Sequence, residues 1–577
     1  MHYFDENLIQ QIFNSNEFKG WLLSRRWFGD KSRLSNLTFK IKLIYFNIIA
    51  ERIFISIIQI QTQSYIKSYF LPLIQYDKIQ DILEPTENIR DNIIKLIDNT
   101  YSKMVALTVH DKPSEEIISL NLVEAEYCVF FWKNMLFDKK ISETFPKLSM
   151  ELLLYTEQFE DEMNMTKVQN LIEASLYPDR YEYSIEQLGG GNTNNLLFLL
   201  KLFNKRKSEI DPITFIIKSY KEFTERLEPK TLYILVKNNF PNAPKIYGTI
   251  KINGKETIGI LEDIPNIGNI GDVYWNDLNK MVKSVFETIK KDASILNNKE
   301  IISNLIKKNC TESLIVSEQI GLQIKHLHEA LILPEDPQYE KELVNSENYL
   351  NSYTNWLIKI IMSIEQSIGQ RSENAFYNSP KIRSILIDIK DIIEKFKAEF
   401  KTQSIELQPI HQDLHMEQIL YNKDNQHYNF YFIGFEGDPQ LNYSERMSKF
   451  PIEKDLASFL RSLSYIKFNT MIEFIETNLI VPEKFEVPEE LLFSVYFRKS
   501  AKISQTQLYL EKIVSLVNGW EERLMNKIFD KSLHLNFPLI NLFTIERAMH
   551  ELDYELLYRP SNMIIPILGL KEIIDKY

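Results

Sequence analysis

Hydrophobic and polar residues alternate with different periods along the chain and divide it into helical and strand-rich blocks. Residues 5–23 carry apolar positions at helical spacing, which predicts a short amphipathic helix. Between residues 37 and 75, alternating and β-branched runs are separated by polar breaks. This second pattern predicts an antiparallel meander, and residues 114–175 are predicted to be mostly helical.

A second strand-rich block covers residues 183–262. It combines a Gly-rich segment, a strand that ends in Lys218, a helix, and two further strands. This order is typical of the N-terminal lobe of a kinase. The predicted elements are a hairpin formed by 186–195 and 196–203, a strand at 213–218, a helix at 232–239, and strands at 243–248 and 258–262.

The rest of the chain, from about residue 266, has mainly helical periodicity. One strand-like interruption lies at 409–436. Strand-rich blocks followed by a long helical block predict an α+β fold. The helices are predicted at 314–331, 349–368, 382–401, 491–518 and 539–558.

Composition narrows the classes of function. The chain has 577 residues, 44% of them apolar and 25% charged, which is ordinary for a globular protein of two to four domains. Its net charge of -12 argues against a nucleic-acid partner. Two cysteines, Cys128 and Cys310, cannot build a disulfide framework or a Cys-rich zinc site. With no signal-peptide pattern and no unbroken apolar span, we expect a cytoplasmic protein that does not bind membranes.

Residues 409–420, PIHQDLHMEQIL, carry the strongest chemical signal. Phosphoryl transfer needs an oriented acceptor, neutralised phosphate charge and bound metal ions. Asp413 can accept the acceptor's proton, and the amide oxygen of Gln418 is a ligand that Mg²⁺ accepts. A hairpin after Gln418 is predicted to bring Glu436 back beside the loop as a second metal ligand. The alternative is a solvated loop with incidental histidines.

A glycine triplet at 189–191 stands out in a chain with 16 glycines. Its backbone amides can approach ATP phosphates, although a flexible hairpin turn is an equally simple explanation. Lys218 ends a strand where a phosphate-binding lysine is expected, or is an ordinary edge lysine. No GxxxxGK[ST] motif occurs, which disfavours a P-loop protein. The predicted ATP-binding residues are Gly189, Gly190, Gly191, Lys218, Glu262 and Ile264.

These motifs together resemble the maltokinases, a family often fused to or encoded with trehalose synthase. The resemblance covers almost the whole chain in the order expected, and its most specific part is the segment 546–560 with 565–569. Gln rather than the commoner Asn at position 418 is typical of this branch. The segments that carry the resemblance are 21–33 (WLLSRRWFGDKSR), 226–229 (RLEP), 321–330, 411–420, 433–439 (IGFEGDP), 444–446, 454–465 and 546–560 (ERAMHELDYELLYRP).

The resemblance implies phosphorylation of maltose at its anomeric hydroxyl, with ATP and Mg²⁺ as cofactors. It implies a bilobal, protein-kinase-like fold of the aminoglycoside phosphotransferase type, with an N-terminal β-rich cap domain and a large helical C-lobe. The expected domains are the cap at 1–125, the N-lobe at 126–265 and the C-lobe at 266–577. It also implies a trehalose synthase or another glucan enzyme as a partner.

The same resemblance implies that the C-terminal helix lines the sugar pocket with Tyr554, Glu555 and Arg559, and His415 is predicted to bind substrate beside them. The residue pattern alone favours structural roles for these residues. His411 and His415 would then brace the loop, and the helix would carry a core-facing aromatic stripe with surface charges.

Three positions depart from the family pattern. Gly434 replaces the Asp expected to bind the catalytic metal, and Glu436 could substitute if both lie on one strand face. Tyr233 occupies the position expected for the glutamate partner of Lys218, so Glu228 or Glu225 is a candidate instead. Finally, Gln412 replaces a glycine. These departures leave two alternatives open, a kinase for another sugar such as glucosamine, and a weak or silent pseudokinase subunit.

Overall fold

Helices and antiparallel sheets both occur in the computed structural model, which confirms the predicted α+β class. The chain divides into two compact units, residues 1–237 with 244–264 and residues 238–243 with 265–577. The three-domain division stays a prediction. The structure describes residues 6–576 apart from 35–37, 51–52, 63–65, 77–104, 111–116, 138–148, 157–158, 160, 189–194, 207–210, 372–379, 400–403, 426, 480–486, 498–503 and 530–534.

The first unit begins with two helices where a single one was predicted. Ser15 interrupts the apolar pattern, and its hydroxyl caps the second helix by accepting a hydrogen bond from the Phe18 amide. A five-stranded antiparallel sheet follows in the order β1-β2-β3-β5-β4. The elements are α1 (Glu6–Asn14), α2 (Asn16–Ser24), α3 (Lys31–Leu34), β1 (Lys40–Ala50), β2 (Ile53–Gln61), β3 (Ile66–Tyr76), β4 (Val105–His110), β5 (Ile117–Glu124) and α4 (Val129–Phe137).

A six-stranded antiparallel sheet completes the first unit in the order β6-β10-β11-β9-β8-β7. In the chain, the hairpin β7–β8 leads to β9, a helix, and the hairpin β10–β11, as the hydrophobic pattern predicted. The elements are β6 (Met150–Leu154), α5 (Glu162–Leu176), β7 (Tyr181–Leu188), β8 (Asn195–Asn204), β9 (Ile213–Tyr220), α6 (Glu228–Lys237), β10 (Ile246–Ile252) and β11 (Lys255–Glu262).

The two sheets of this unit are joined directly after β9. Phe70 in β3 donates its amide hydrogen to the Lys221 carbonyl at 2.7 Å. Lys221 and Glu126 are fully buried and form an ion pair, and the Lys221 ammonium lies 4.7 Å from the centre of the Trp27 ring. Trp27, from the segment that resembles the maltokinase opening, donates its indole hydrogen to Glu124. The N-terminal sheet therefore packs against the continuation of the strand that carries Lys218.

The second unit is mainly helical, with a three-stranded sheet (β12-β15-β16) and a two-stranded sheet (β13-β14). Its elements are β12 (Gly268–Asn269), α7 (Gly271–Ile289), α8 (Lys299–Asn309), α9 (Thr311–Ala330), β13 (Glu342–Asn345), α10 (Ser346–Arg371), α11 (Pro380–Glu399), β14 (Ser404–Leu407), β15 (Ile419–Asp424), β16 (His427–Phe432), α12 (Tyr443–Arg446), α13 (Glu453–Asn478), α14 (Pro488–Tyr496), α15 (Gln505–Phe529), α16 (Phe537–Tyr558) and α17 (Ile564–Lys576).

Several local predictions were wrong. Residues 117–124 and 150–154 are strands within a region predicted to be mostly helical, because both segments pair with strands distant in sequence. The helix predicted at 491–518 is two helices, since α14 ends at Tyr496 and Phe497 leaves the helical conformation. The helix predicted at 232–239 begins earlier, at Glu228.

Candidate active site

Lys218 in the first unit forms a buried ion pair. Its ammonium lies 2.8 Å from Oε2 of Glu228, the first residue of α6, and the Tyr220 hydroxyl donates to the same oxygen at 2.7 Å. The side chains of Lys218 and Glu228 are 9% and 2% exposed. Tyr233, which sequence alignment placed opposite Lys218, is exposed instead. Glu228 is therefore the partner that the sequence left undecided.

The structure describes only some of the other residues predicted to bind ATP. Gly189, Gly190 and Gly191 lie outside the described residues. Glu262 is the last residue of β11, and its side chain accepts a hydrogen bond from the Lys245 amide at 3.1 Å. Ile264 is buried two residues further on. Their contact with adenine stays a prediction.

In the second unit, one carboxylate fixes the backbone of the loop that carries Asp413. Asp455 is fully buried in the first turn of α13. It accepts hydrogen bonds from the amides of His411 and Gln412 at 2.9 and 2.7 Å, and it lies 2.9 Å from Nε2 of His328. A carboxylate with several hydrogen-bond partners is a rigid anchor, so the loop has a defined position.

Gln412 shows how the replacement of a glycine is accommodated. Its φ angle is 70°, in the left-handed region that disfavours side chains with a Cβ atom. The side chain is buried, and its amide group donates to the Arg446 carbonyl at 2.6 Å. This hydrogen bond ties the loop to the segment that follows β16, and it offsets part of the backbone strain.

Asp413 is buried and contacts two cationic or polar side chains. Its Oδ1 lies 2.6 Å from Nη2 of Arg547 in α16, and its Oδ2 lies 3.6 Å from Nε2 of His415. Burial by itself would raise the pKa of Asp413. The positive charge of Arg547, followed by the hydrogen bond and charge of His415, outweighs burial and holds that pKa well below its usual range. Asp413 is therefore a carboxylate at neutral pH.

The two histidines of the loop have different environments. His411 is buried, its Nε2 lies 2.9 Å from the Ile433 carbonyl, and burial lowers its pKa, so it is neutral and braces the loop. His415 is partly exposed and lies 3.4 Å from the amide nitrogen of Gln418. Its location beside Asp413 is compatible with the predicted substrate contact, which stays a prediction.

Gly434 and Gln418 occupy one small region. Gly434 has a φ angle of 76°, and a Cβ atom at this position would clash with Oε1 of Gln418. The Gln418 amide therefore fills the volume in which a side chain at 434 would begin. An aspartate cannot be added there unless Gln418 moves.

The argument that Glu436 replaces the missing aspartate by strand alternation is wrong. β16 ends at Phe432, and Gly434 and Gly437 both have positive φ angles, so residues 434–436 form a turn rather than a strand. The two-residue repeat of strand faces does not apply to a turn. Whether Glu436 binds a metal stays a prediction.

The metal-binding capacity of this region follows from its donor atoms. Mg²⁺ prefers oxygen ligands, usually one or two carboxylates together with substrate phosphates. Position 434 supplies no carboxylate, Gln418 supplies an uncharged oxygen, and one oxygen of Asp413 is paired with Arg547. Within the described residues, no group of three or more His, Cys, Asp or Glu side chains is arranged to hold a metal ion. The donor set does not fit a dedicated magnesium cage.

The predicted sugar-binding residues lie at the C-terminal end of α16. Glu555 is fully buried and bonds to the Tyr465 hydroxyl at 3.0 Å and to Arg559 at 2.8 Å. Burial raises the pKa of Glu555. Tyr554 and Arg559 are exposed, and the Arg559 guanidinium lies 5.2 Å from the centre of the Tyr554 ring. Glu555 therefore orients its neighbours, while Tyr554 and Arg559 are accessible.

Sequence analysis missed Arg547 and Asp455 as residues of the site. Arg547 pairs with a residue 134 positions away, a contact that helical periodicity cannot show. The available signal was that Arg547 is the one Lys or Arg of α16, whose other charged residues are acidic. Asp455 likewise lies in a segment that carried the family resemblance but no assigned role.

Comparison with known proteins gave distant similarities. No family model matches the chain. Among solved structures, the chain is similar to a glucosamine kinase, with 10% identity, 94% of this chain and 96% of that chain covered, and a TM-score of 0.46. The chain is also similar to a glucosamine kinase in complex with glucosamine, ADP and inorganic phosphate, with 11% identity, 97% of this chain and 99% of that chain covered, and a TM-score of 0.42. A Plasmodium vivax ethanolamine kinase has 14% identity to the chain, with 76% of this chain and 93% of that chain covered and a TM-score of 0.30. No described helix is both long and apolar enough to cross a bilayer.

Proposed function

We propose that the chain is an ATP-dependent kinase that phosphorylates a sugar hydroxyl. The observation that carries the proposal is the buried ion pair between Lys218 on β9 and Glu228 on α6. In protein kinases, a strand lysine paired with a helix glutamate contacts nucleotide phosphates. Burying such a pair costs desolvation energy and seldom adds stability. Burial alone does not mark this pair as functional, since Lys221 and Glu126 form a fully buried pair between the two sheets. The location of the Lys218–Glu228 pair, with the lysine on β9 and the glutamate at the start of α6, is what supports the proposal.

Asp413 is the proposed proton acceptor of the reaction. The sugar hydroxyl oxygen attacks the γ-phosphorus of ATP, and the bond from that phosphorus to the β–γ bridging oxygen breaks, so ADP leaves. The hydroxyl proton passes to the Asp413 carboxylate, which Asp455 positions through the loop backbone. A positioned base of this kind contributes about 10²–10⁴-fold to the rate.

Maltose is the acceptor that we propose, with phosphorylation at the anomeric hydroxyl to give maltose 1-phosphate. Support comes from the resemblance of segment 546–560 to the maltokinases and from the exposure of Tyr554 on α16 and of Arg559 directly after it. The proposal includes a cytoplasmic location and a trehalose synthase or another glucan enzyme as partner. Glucosamine remains the alternative acceptor.

Mg²⁺ has no step in this proposal, because the donor set around Gly434 does not fit a dedicated site. Gln418 and Glu436 stay predicted ligands of a metal that arrives with ATP. The absence of a carboxylate at 434 favours one second candidate, a weak or silent kinase-like subunit that binds sugar or nucleotide without turnover.

A sugar panel tests the proposal. The full-length protein is incubated with ATP, Mg²⁺ and maltose, glucosamine, glucose or trehalose, and ADP release is followed. We expect ADP release that maltose stimulates and that Asp413→Asn lowers by about 10²–10⁴-fold. If no sugar stimulates turnover while ATP still binds, the kinase proposal is wrong and the silent-subunit candidate replaces it.

A further inference from the structure

Arg547 is the cation closest to the proposed proton acceptor. It lies in the middle of α16, and its Nη2 is 2.6 Å from Oδ1 of Asp413. Two further carboxylates act on it: the charge of Asp438 also raises the pKa of Arg547, and Oε1 of Glu551 lies 4.0 Å from Nε. Across the described part of the chain, the bond to Asp413 is the only hydrogen bond of the Arg547 side chain that satisfies normal geometry. Most of its donors are therefore available to another anion.

Glu551 is hydrogen-bonded to a different arginine and offers Arg547 a charge but no hydrogen bond. Arg461, which is buried, donates to Oε2 of Glu551 from Nε and Nη2 at 3.0 and 2.6 Å. A Cβ atom at Gly569 would clash with the Arg461 guanidinium, so Arg461 has little freedom to move. The Arg547 side chain is therefore held by one hydrogen bond, to Asp413.

Position 434 also lacks the carboxylate that the maltokinase pattern places there to hold a metal. Gly434 has no side chain, and Gln418 fills the space beside it. The transferred phosphoryl group carries charge on its three equatorial oxygens, and a planar guanidinium with several donors is well suited to neutralise it. The Arg547 side chain is 22% exposed, so an anionic ligand can reach it.

We propose that Arg547 leaves Asp413 for the transferred phosphoryl group and supplies the positive charge that neutralises it during transfer. This inference rests on the proposed kinase function. The exchange has a second consequence, because an aspartate paired with arginine is a poor proton acceptor. When Arg547 moves to the phosphoryl oxygens, Asp413 becomes more basic as the acceptor hydroxyl loses its proton. The bonds formed and broken are those of the kinase reaction.

Kinetics of three variants test the inference. Arg547→Gln removes the charge, Arg547→Lys keeps it without the planar group, and Arg523→Gln on α15 is the matched control, since Arg523 bonds to Ser303 away from the loop. We expect Arg547→Gln to lower kcat by about 10³–10⁵-fold, as loss of a catalytic arginine does. Arg547→Lys should lie between, with the KM for sugar nearly unchanged, and Arg523→Gln should match the unmodified protein.

Binding of a transition-state mimic separates catalysis from structure. ADP with aluminium fluoride imitates the transferred phosphoryl group, whereas ADP alone does not. Arg547→Gln should weaken the binding of the mimic at least tenfold and leave the binding of ADP unchanged. If Arg547→Gln folds poorly, the affinities of Arg547→Lys for the mimic and for ADP are compared instead.

Two results would overturn the inference. One is an active unmodified protein whose Arg547→Gln variant keeps kcat within about threefold, and that result would leave the proposed function intact. The other is equal loss of affinity for ADP and for the mimic, which would assign Arg547 to nucleotide binding or folding. If the unmodified protein lacks sugar-stimulated turnover, the proposed function fails and this inference fails with it.

Discussion

The ion pair of the first unit and the loop of the second unit depart from the maltokinase pattern in opposite ways. At Lys218, the expected partner position holds Tyr233, yet Glu228 supplies the carboxylate from the start of α6. At Gly434, the expected carboxylate is missing, and the Gln418 amide fills the space. An ion pair can be restored from any nearby position whose side chain reaches it. A close-packed volume that another group already fills cannot be restored in the same way.

The largest effect is expected at Asp413, in the loop of the second unit. Replacing it with asparagine keeps the size of the side chain and removes the proposed proton acceptor, so we expect kcat to fall by about 10²–10⁴-fold. ADP release with maltose measures the effect. Asp424→Asn, at the exposed end of β15, is the control and should keep the full rate. An Asp413→Asn variant with the rate of the control would exclude Asp413 as the base.

The second prediction concerns the restored pair. Glu228→Gln leaves the Lys218 ammonium buried without a counter-charge, and we expect the free energy of unfolding to fall by about 3–5 kcal/mol. Urea unfolding measures this loss, and the KM for ATP should rise as well. The control is Glu225→Gln, since Glu225 is exposed and was the other candidate partner.

A double variant sharpens the distinction between stability and function. Lys218→Met with Glu228→Leu replaces the ion pair with apolar groups, and it should recover much of the stability lost in Glu228→Gln. It should nevertheless be inactive, because the proposed phosphate-binding cation is gone. Retained activity in this folded variant would remove the observation that carries the proposed function.

The third prediction concerns the space beside Gly434, which the Gln418 amide fills. Gly434→Asp should destabilise the protein by about 1–3 kcal/mol, because it combines a positive φ angle with a clash against Gln418. Its activity should fall rather than rise. Gly434→Ala, which adds volume without charge, should cause a similar loss of stability in thermal unfolding.

Shortening Gln418 gives the matching rescue. Adding Gln418→Asn to Gly434→Asp opens space for the new carboxylate, and this pair should recover activity relative to Gly434→Asp alone. If Gly434→Asp alone raises the rate sharply, Gln418 does not block the position and the natural site is simply short of one metal ligand.

The smallest effect is expected at Gln412. Gln412→Gly relieves the positive φ angle but loses the hydrogen bond to the Arg446 carbonyl. These opposing contributions are each about 1 kcal/mol, so the free energy of unfolding should change by less than that. A larger loss would show that the Gln412 side chain, rather than Asp455, fixes the loop.

The sequence predicted the parts of the fold that depend on local pattern. The hairpin after Gln418 and the order of strands around Lys218 follow from short alternating runs, and the structure contains both. Contacts between residues that are distant in sequence could not be predicted in this way. The bond between Arg547 and Asp413 joins two elements that carry no shared pattern.

Errors in the site had a specific physical cause. Sequence reasoning placed Gly434 and Glu436 on one strand face, as if the second strand of the hairpin continued past Ile433. The strand ends earlier, since Gly434 adopts a backbone conformation that ends strand pairing. Similarly, the choice between Glu225, Glu228 and Tyr233 depended on where α6 begins, and helix boundaries are the least certain part of any pattern.

Transfer of the γ-phosphoryl group to maltose is the most direct test of the central claim. The unmodified protein and Asp413→Asn are each incubated with ATP, Mg²⁺ and maltose, and the products are followed by phosphorus NMR. The account predicts a sugar phosphate signal that grows in step with ADP for the unmodified protein and is absent for Asp413→Asn. Unchanged ATP with the unmodified protein, or free inorganic phosphate without any phosphorylated sugar, would contradict it.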